Sequence, residues 1–214
     1  MSSAEMPVGG GGSRSPRIGL LGGTFDPPHL GHLAAAQAAR DSLALDEVLL
    51  VVANHPWQKV PARVISPAED RFALVRAAAE PIERVVASRL EIDRGGPSYT
   101  VETVEEVRGL AAAAGQADPE LFVIVGDDLV ASLPTWHRVD DLRRSVTLAV
   151  VARPHAASGA RPAGWRYRTV QGRPVDASSS EVRERLGRGE PVDDLVPPAV
   201  LRCILRRGLY AVGG

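Results

Sequence analysis

The sequence predicts an α/β fold in which helices cover both faces of a doubly wound parallel sheet in a single domain. Three observations point to this fold: apolar runs alternate with helical patterns, the runs lack polar alternation, and glycine or polar residues follow directly after them. Apolar strands without alternation are typical of parallel sheets, because both faces of such sheets are buried. Ligands bind these sheets beyond the carboxyl ends of the strands, where the strand order reverses.

The apolar runs place the strands. Most are four to seven residues long and rich in Val, Leu and Ile, as expected for buried strands. In chain order, the predicted strands and extended segments are 18–21, 48–53, 85–88, 90–92, 121–125, 146–152 and 167–170. The last of these lies within a Pro/Gly-rich stretch, 154–174, that we expect to be a surface loop.

Helical patterns fill the intervals between the apolar runs. The clearest start signal is Ser66, the expected N-cap, with Pro67 at the first helical position and Glu69 completing a capping box. Gly208 is expected to end the last helix as its C′ residue. The predicted helices are 31–42, 67–79, 100–114, 180–188 and 197–207, with a further short helical stretch between residues 125 and 146.

Length, charge and cysteine content exclude several classes of protein. The 214 residues suit one domain, and 25 basic residues against 26 acidic ones argue against a general nucleic-acid coat. Cys203 is the only cysteine, which excludes an intrachain disulfide and a cysteine zinc site, and we expect it to be buried. With neither a membrane-length apolar run nor a signal-peptide core, the chain is expected to be cytoplasmic, without membrane or nucleic-acid partners.

The N-terminal segment differs in composition from the rest of the chain. Residues 1–16 are rich in Gly and Ser, so we expect a disordered tail ahead of one domain over residues 17–212. Nothing in the sequence decides between a monomer and a homo-oligomer.

The strongest motif follows the first predicted strand and reads Gly22-Gly23-Thr24-Phe25-Asp26-Pro27-Pro28-His29-Leu30-Gly31-His32. Two glycines after a strand let backbone amides approach an anion, although the spacing is neither a dinucleotide fingerprint nor a P-loop. His29 and His32 stand three apart at a helix start, where both imidazoles can donate to phosphate oxygens. In the alternative interpretation, one histidine caps the helix and the other packs, while the absence of further ligand motifs disfavours zinc.

A second motif near the C-terminus reads Ser178-Ser179-Ser180-Glu181-Val182-Arg183 at a predicted helix start. Serine hydroxyls, helix-start amides and Arg183 together suit phosphate oxygens. By itself a serine triplet at this position is ordinary N-capping. The combination with the first motif favours the phosphate-binding interpretation.

The first motif resembles the signature of the HxGH nucleotidyltransferases, and the second resembles that family's ISSTxIR phosphate motif, with Ala177 and Ser180 as departures. Three further segments resemble the bacterial nicotinate mononucleotide adenylyltransferases. They read GPSYTVET over residues 96–103, IVGDD over 124–128 and PTWH over 134–137. The resemblance spans residues 17–210 and implies a Rossmann-like fold.

This resemblance implies adenylyl transfer from ATP to nicotinate mononucleotide, which gives nicotinate adenine dinucleotide and pyrophosphate in NAD biosynthesis. The implied catalytic residues are His29, His32, Lys59 and Arg183. The implied ATP-binding residues are Gly22, Gly23, Thr24, Phe25, His32, Gly126, Asp128, Arg153, Ser178, Ser179, Ser180 and Arg183. The implied residues for nicotinate mononucleotide are Gly23, Thr24, Tyr99, Thr100, Trp136 and His137. Magnesium is expected to be carried by ATP, without a metal site made by the protein.

One segment departs from the family pattern. Where most members have PPHK, this chain has His55-Pro56-Trp57-Gln58-Lys59, so that Gln58 replaces the family histidine. Lys59 aligns with the family lysine, which leaves the role of Trp57 open and makes His55 either a solvated loop residue or a functional one.

Other interpretations stay open at this point. Trp136 suits stacking on a flat ring, but a loop tryptophan can also plug a domain, and Tyr99 can belong partly to the core. The alternative functions are another HxGH adenylyl- or cytidylyltransferase, such as a phosphopantetheine adenylyltransferase, and a non-catalytic nucleotide-binding module. Because Thr100 and the backbone amides near Trp136 are donors, we expect the nicotinate form of the acceptor to be preferred to the nicotinamide form.

Overall fold

A computed structural model describes residues 14–56, 64–152, 163–172 and 175–210. Its six strands form one sheet in the order β3-β2-β1-β4-β5-β6, and every neighbouring pair is parallel. The strands are β1 (Arg17–Gly23), β2 (Glu47–Val52), β3 (Val85–Ser88), β4 (Glu120–Gly126), β5 (Thr147–Val151) and β6 (Tyr167–Val170). The order reverses between β1 and β4, as in a Rossmann-like doubly wound sheet. The predicted fold class is confirmed.

Helices cover both faces of this sheet. They are α1 (Leu30–Ser42), α2 (Ala68–Ala79), α3 (Leu90–Arg94), α4 (Thr100–Ala113), α5 (Val139–Ser145), α6 (Ser179–Gly187) and α7 (Pro198–Arg207), with a 3₁₀ helix at Asp127–Thr135. The core on one face includes buried residues of α1, α2, α6 and α7. The core on the other face includes buried residues of α3, α4, α5 and the 3₁₀ helix.

Strand β2 shows why the apolar runs lack polar alternation. Val48, Leu50 and Val52 belong to one core, and Leu49 and Val51 to the other. Because successive side chains of a strand point to opposite faces, both sets must be apolar when both faces are covered. Burial of each such side chain contributes about 1.5–3 kcal/mol.

The start of α2 differs from the sequence prediction. Pro67 is the N-cap residue, and no side chain caps the helix, so the expected Ser66 cap and capping box are wrong. The carbonyl oxygen of Ser66 accepts a hydrogen bond from Arg71 Nε at 2.8 Å, and its N–H donates to the Asp26 carboxylate at 3.4 Å. Tertiary contacts therefore hold this residue outside the helix.

Residues 90–92 were predicted to be extended, and this prediction is wrong because they belong to α3. Arg89 Nε donates to Asp93 Oδ1 at 2.7 Å, a pairing four residues apart that suits a helical turn. Gly95, with φ of 74°, follows its last residue. A helix of five residues is too short for its hydrophobic period to be distinguished from that of a strand.

The N-terminal end of the described chain lies against the sheet. Arg14 forms an ion pair with Asp46, and the carbonyl oxygen of Pro16 accepts from the N–H of Glu120, so part of the expected tail contacts the sheet. Residues 1–13 of that tail lie outside the described residues. Cys203 is buried, as expected, and within the described ranges no helix is long and apolar enough to cross a membrane.

Candidate active site

Two cavities open at the carboxyl ends of β1 and β4. The tryptophan cavity contains Trp136 in its lining, and the histidine cavity contains His29 and His32. Four residues line both cavities: Gly22, Ile124, Val125 and Leu129. The two cavities therefore meet over the strand ends where the strand order reverses, which is where parallel sheets bind ligands.

His29 and His32 come together at the start of α1, with ring centroids 3.7 Å apart. His29 is the N-cap residue, and its backbone N–H donates to His32 Nδ1 at 3.2 Å. Because Nδ1 is an acceptor here, a neutral His32 ring carries its proton on Nε2. His29 thus occupies the N-cap position of α1, and the His32 ring presents an Nε2–H donor at the positive end of the helix dipole.

Two glycines and one phenylalanine support this pair. A Cβ on Gly23 would lie 2.9 Å from the Phe25 ring, and a Cβ on Gly31 would lie 3.0 Å from the His29 ring. Phe25 is buried and meets the His32 ring edge-on, with centroids 4.8 Å apart. Phe25 lines neither cavity, so its place is behind His32.

The serine-rich second motif docks onto the first motif. Ser179 Oγ donates to the carbonyl oxygen of Pro27 at 2.8 Å. Arg183 donates through Nη1 to the carbonyl oxygen of Asp26 at 2.6 Å and through Nη2 to Ser180 Oγ at 3.0 Å. Contacts across more than 150 residues of sequence thus bring the two motifs to one place. The start of α6 is capped by Ser178, whose Oγ accepts from the N–H of Glu181.

Asp26 is the buried centre of this junction. Its side chain accepts from the Tyr210 hydroxyl at 2.6 Å and from the Ser66 N–H. Burial, together with the hydrogen bond to Asp26, raises the pKa of Tyr210 well above its ordinary value, so the hydroxyl stays a donor. Sequence reasoning missed this role of Tyr210, because no local pattern links residues 184 positions apart.

The residues expected to bind nicotinate mononucleotide all line the tryptophan cavity. They are Gly23, Thr24, Tyr99, Thr100, Trp136 and His137. Within this set the rings of Tyr99 and His137 stack on each other, with centroids 4.2 Å apart. Trp136 Nε1 is buried and has no hydrogen-bond partner among the described residues.

A chain of hydrogen bonds builds one wall of the tryptophan cavity. The Asn54 N–H donates to Ser98 Oγ at 2.8 Å, and the Ser98 N–H donates to the carbonyl oxygen of His55 at 3.1 Å. Asn54 Nδ2 also donates to the carbonyl oxygen of Gly96. The GPSYT segment is thus fastened to the loop that follows β2. His55 is exposed and lines neither cavity, which favours the solvated-loop interpretation.

Sequence reasoning also missed a carboxylate in the wall of the tryptophan cavity. Glu91 is 6% exposed, accepts from Thr103 Oγ1 at 2.7 Å and lies 4.0 Å from Arg94 Nη2. The sequence does not reveal Glu91 as a site residue, because the pattern over residues 90–92 predicts an extended segment and not the helix α3. The lining therefore contains an acceptor as well as donors, although Thr103 and Arg94 compensate much of its charge.

The remaining expected residues are placed differently from one another. Gly126 lines the histidine cavity, whereas Asp128 is exposed at the start of the 3₁₀ helix and lines neither cavity. Lys59, Arg153 and Trp57 lie outside the described residues. Across the described part of the chain, no three His, Cys, Asp or Glu residues are grouped to hold a metal ion.

Sequence comparisons relate the chain to known proteins. Residues 20–185 match the family model described as cytidylyltransferase-like. A protein of Acidothermus cellulolyticus, described as a probable nicotinate-nucleotide adenylyltransferase, is 39% identical over 208 residues, 92% of this chain and 95% of the relative. A Thermus thermophilus protein with the same description is 44% identical over 194 residues, covering 91% and 99% of the two chains.

A solved structure shows the same architecture. The Plasmodium falciparum nicotinic acid mononucleotide adenylyltransferase complexed with NaAD aligns with a TM-score of 0.75, covering 91% of this chain and 97% of that one. At 16% identity this likeness concerns the fold, and it agrees with the Rossmann-like strand order of the sheet.

Proposed function

We propose that this chain, which belongs to the cytidylyltransferase-like family and within it to the nicotinate-nucleotide adenylyltransferases, transfers the adenylyl group of ATP to nicotinate mononucleotide. The products are nicotinate adenine dinucleotide and pyrophosphate, in NAD biosynthesis. The observation that carries this proposal is the lining of the tryptophan cavity. Four separate sequence motifs contribute to that one lining, and the cavity adjoins the histidine pair.

The two adjoining cavities suit the two substrates of a direct displacement. In the reaction, an oxygen of the acceptor's 5′-phosphate bonds to the α-phosphorus of ATP, and the bond from that phosphorus to the α–β bridging oxygen breaks, releasing pyrophosphate. We place the acceptor in the tryptophan cavity and ATP in the histidine cavity. Gly22, which lines both, then lies beside the reacting phosphates. No covalent enzyme intermediate is needed.

Charge stabilisation is the main contribution of the protein to such a reaction. His32 Nε2–H and the positive end of the α1 dipole suit the charge that develops on the α-phosphate. Arg183 and the serines at the start of α6 suit the β- and γ-phosphates, since Arg183 is already held against the first motif. Lys59 and Arg153 join this set on the family resemblance alone.

Magnesium enters this proposal as a companion of the triphosphate. Mg²⁺ prefers oxygen ligands and keeps several waters, so phosphate oxygens can supply most of its coordination. When bound, the ion neutralises charge on the triphosphate. Orientation of the phosphates is left to the amides and side chains named above.

The proposal includes a preference for the nicotinate form of the acceptor. Trp136 Nε1–H and the Thr100 hydroxyl are donors that suit a carboxylate, and the indole ring suits stacking on a pyridine. Glu91 works against a carboxylate, but its contacts with Thr103 and Arg94 reduce that repulsion. We expect kcat/KM to favour nicotinate mononucleotide by about 10–10³-fold.

Pyrophosphate release, measured with one acceptor at a time, tests the proposed function. The acceptors are nicotinate mononucleotide, nicotinamide mononucleotide and phosphopantetheine, each with ATP and magnesium. Turnover should be fastest with the nicotinate form, and equal rates with the two mononucleotides would contradict the proposed preference. Turnover with phosphopantetheine alone would assign a different transferase activity. Absence of pyrophosphate with every acceptor would favour a nucleotide-binding module.

A further inference from the structure

Arg71 is a buried arginine of α2, and its guanidinium donates hydrogen bonds to backbone carbonyl oxygens. It is 1% exposed, and its guanidinium donates to three carbonyl oxygens: those of Ser66 at 2.8 Å, Thr24 at 2.8 Å and Asn54 at 3.1 Å. These carbonyls belong to the loop after β1 and to both ends of the connection between β2 and α2. Burial of a charged group costs free energy unless hydrogen bonds compensate it. The burial of Arg71 therefore depends on these three carbonyl oxygens.

Two of the segments held by Arg71 contribute residues to the tryptophan cavity. Thr24 lines the tryptophan cavity, as do Ala53 and Pro56 on either side of Asn54 and His55. None of these residues lines the histidine cavity. Of the three hydrogen bonds named above, two therefore reach segments that form walls of the tryptophan cavity, and the third holds Ser66, which lines neither cavity.

A short path of hydrogen bonds continues from Arg71 to the GPSYT segment. Arg71 Nη2 donates to the carbonyl oxygen of Asn54, and the Asn54 N–H donates to Ser98 Oγ. The Ser98 N–H in turn donates to the carbonyl oxygen of His55. Ser98 directly precedes Tyr99 and Thr100, and all three line the cavity. Two hydrogen bonds thus connect the guanidinium to the residue before the acceptor-facing side chains.

We propose that Arg71 is a positioning residue for the tryptophan cavity, which sets the spacing of the two walls between which the acceptor nucleotide binds. Being buried, it acts through Thr24, Asn54 and Ser98, without touching either substrate. The identity of the acceptor rests on the proposed function, whereas the hydrogen-bond path does not. The planar guanidinium suits this role, because it presents donors in fixed directions to three carbonyls, which one lysine nitrogen cannot match.

The kinetic test compares Arg71→Met and Arg71→Lys with Leu74→Ala. Leu74 lies on the same helix, is fully buried and belongs to the apolar core, so its truncation lowers stability without removing the path. We expect Arg71→Met to raise KM for nicotinate mononucleotide about tenfold or more and KM for ATP less than about threefold, since small misplacements of a binding wall are costly. Arg71→Lys should fall between wild type and Arg71→Met. Leu74→Ala should lower the melting temperature and leave the ratio of the two KM values unchanged.

Amide hydrogen exchange tests the path without any substrate. The Ser98 N–H reports on the tryptophan cavity, and the Leu30 N–H, which donates to the carbonyl oxygen of Leu195, reports on the start of α1. Exchange at Ser98 relative to Leu30 should be about tenfold faster in Arg71→Lys than in wild type, and unchanged in Leu74→Ala.

Two results would overturn this proposal. One is an unchanged exchange ratio in a folded Arg71 variant, and the other is an equal rise of both KM values that Leu74→Ala reproduces. If Arg71→Met does not fold, Arg71→Lys carries both measurements. If the wild type turns over neither mononucleotide, the proposed function fails, while the exchange ratio still decides the role of Arg71.

Discussion

The tryptophan cavity and the histidine cavity share the ends of β1 and β4, but they are built in different ways. Their volumes are nearly equal, about 150 and 140 Å³, so size does not distinguish them. The wall of the tryptophan cavity is held by a hydrogen bond from Asn54 to Ser98, 44 residues apart, and by one from the Ser98 N–H to His55. The histidine cavity adjoins the serine-rich motif, which Ser179 and Arg183 tie to the first motif across 152 and 157 residues.

This difference separates two tasks of the proposed reaction. On the tryptophan side, buried hydrogen bonds prepare a shaped wall with aromatic rings, which suits selection of a flat acceptor. On the histidine side, two imidazoles line the cavity and Ala177, next to the serine-rich motif, contributes to its wall, which suits a triphosphate in the proposed reaction. Substitutions on the two sides should therefore affect different kinetic constants.

The largest effect is expected from His32→Ala. Loss of one preorganised donor at the reacting phosphate should lower kcat by about 10²–10³, because the charge of the transition state loses a partner. Steady-state turnover at saturating substrates measures this. His55→Ala is the matched control, since His55 is exposed and lines neither cavity, and it should keep wild-type turnover. A His32→Ala enzyme with more than half of the wild-type kcat would refute the assignment.

Arg183→Ala should change ATP binding more than acceptor binding. A hydrogen bond to a charged group contributes about 1.5–3 kcal/mol, which corresponds to a rise in KM for ATP of roughly 10–100-fold. Initial rates over a grid of both substrates measure the two KM values, and Lys59→Ala is expected to behave alike. Arg188→Ala, an exposed arginine just past α6, serves as the control. Small, equal changes in both constants would mean that Arg183 is an ordinary surface charge.

A smaller effect is expected from Tyr210→Phe, which removes only the hydroxyl that donates to Asp26. Asp26 should become less firmly held, and Arg183 with it, so KM for ATP should rise about three- to fivefold while KM for the acceptor stays constant. Loss of a buried hydrogen bond to a charged group should also destabilise the fold by about 1–3 kcal/mol. Thermal unfolding and the same substrate grid measure both effects. A shift confined to the acceptor constant would contradict the link between Tyr210 and the phosphate side.

The smallest effect is expected from Glu47→Gln, at the start of β2 and far from both cavities. Burial raises the pKa of Glu47 from 4.5 to about 7. Between those values the folded state keeps a proton that the unfolded state releases, so stability falls as the pH rises through this window. Glu47→Gln should therefore gain about 1 kcal/mol at pH 8, after allowance for solvent screening, or about 2–4 °C in Tm, and nothing at pH 4. Melting curves at both pH values, together with unchanged KM values, would confirm this, and an equal gain at both pH values would not.

The sheet could be predicted from the sequence because its signals are local. The composition of runs such as 48–53 and 121–125 is enough to predict buried strands. The glycine–histidine motif is also a local signal, because its residues are contiguous in the sequence. Six residues of the tryptophan cavity were likewise predictable, since Gly23, Thr24, Tyr99, Thr100, Trp136 and His137 lie in short contiguous motifs.

What the sequence did not reveal depends on contacts between distant residues. Arg71 lies within a helical pattern where a charged residue is normally solvent-facing, and only its burial against two connecting segments shows its partners. Glu91 was misplaced together with its short helix, and Ser66 was assigned a capping role that Arg71 and Asp26 override. In each case tertiary hydrogen bonds outweigh local propensity.

The contacts of Asp26 can form only late during synthesis of the protein. The last strand of the sheet ends at Val170, whereas Arg183 and Tyr210 reach Asp26 from 157 and 184 residues further along the chain. At about 5–20 residues per second, a ribosome needs roughly 2–8 s to add the residues between Val170 and Tyr210. At the start of that interval the nascent chain has all six strands and both histidines but lacks Arg183 and Tyr210, which bond to Asp26. The contacts of Asp26 are therefore completed only after the whole sheet has been synthesised.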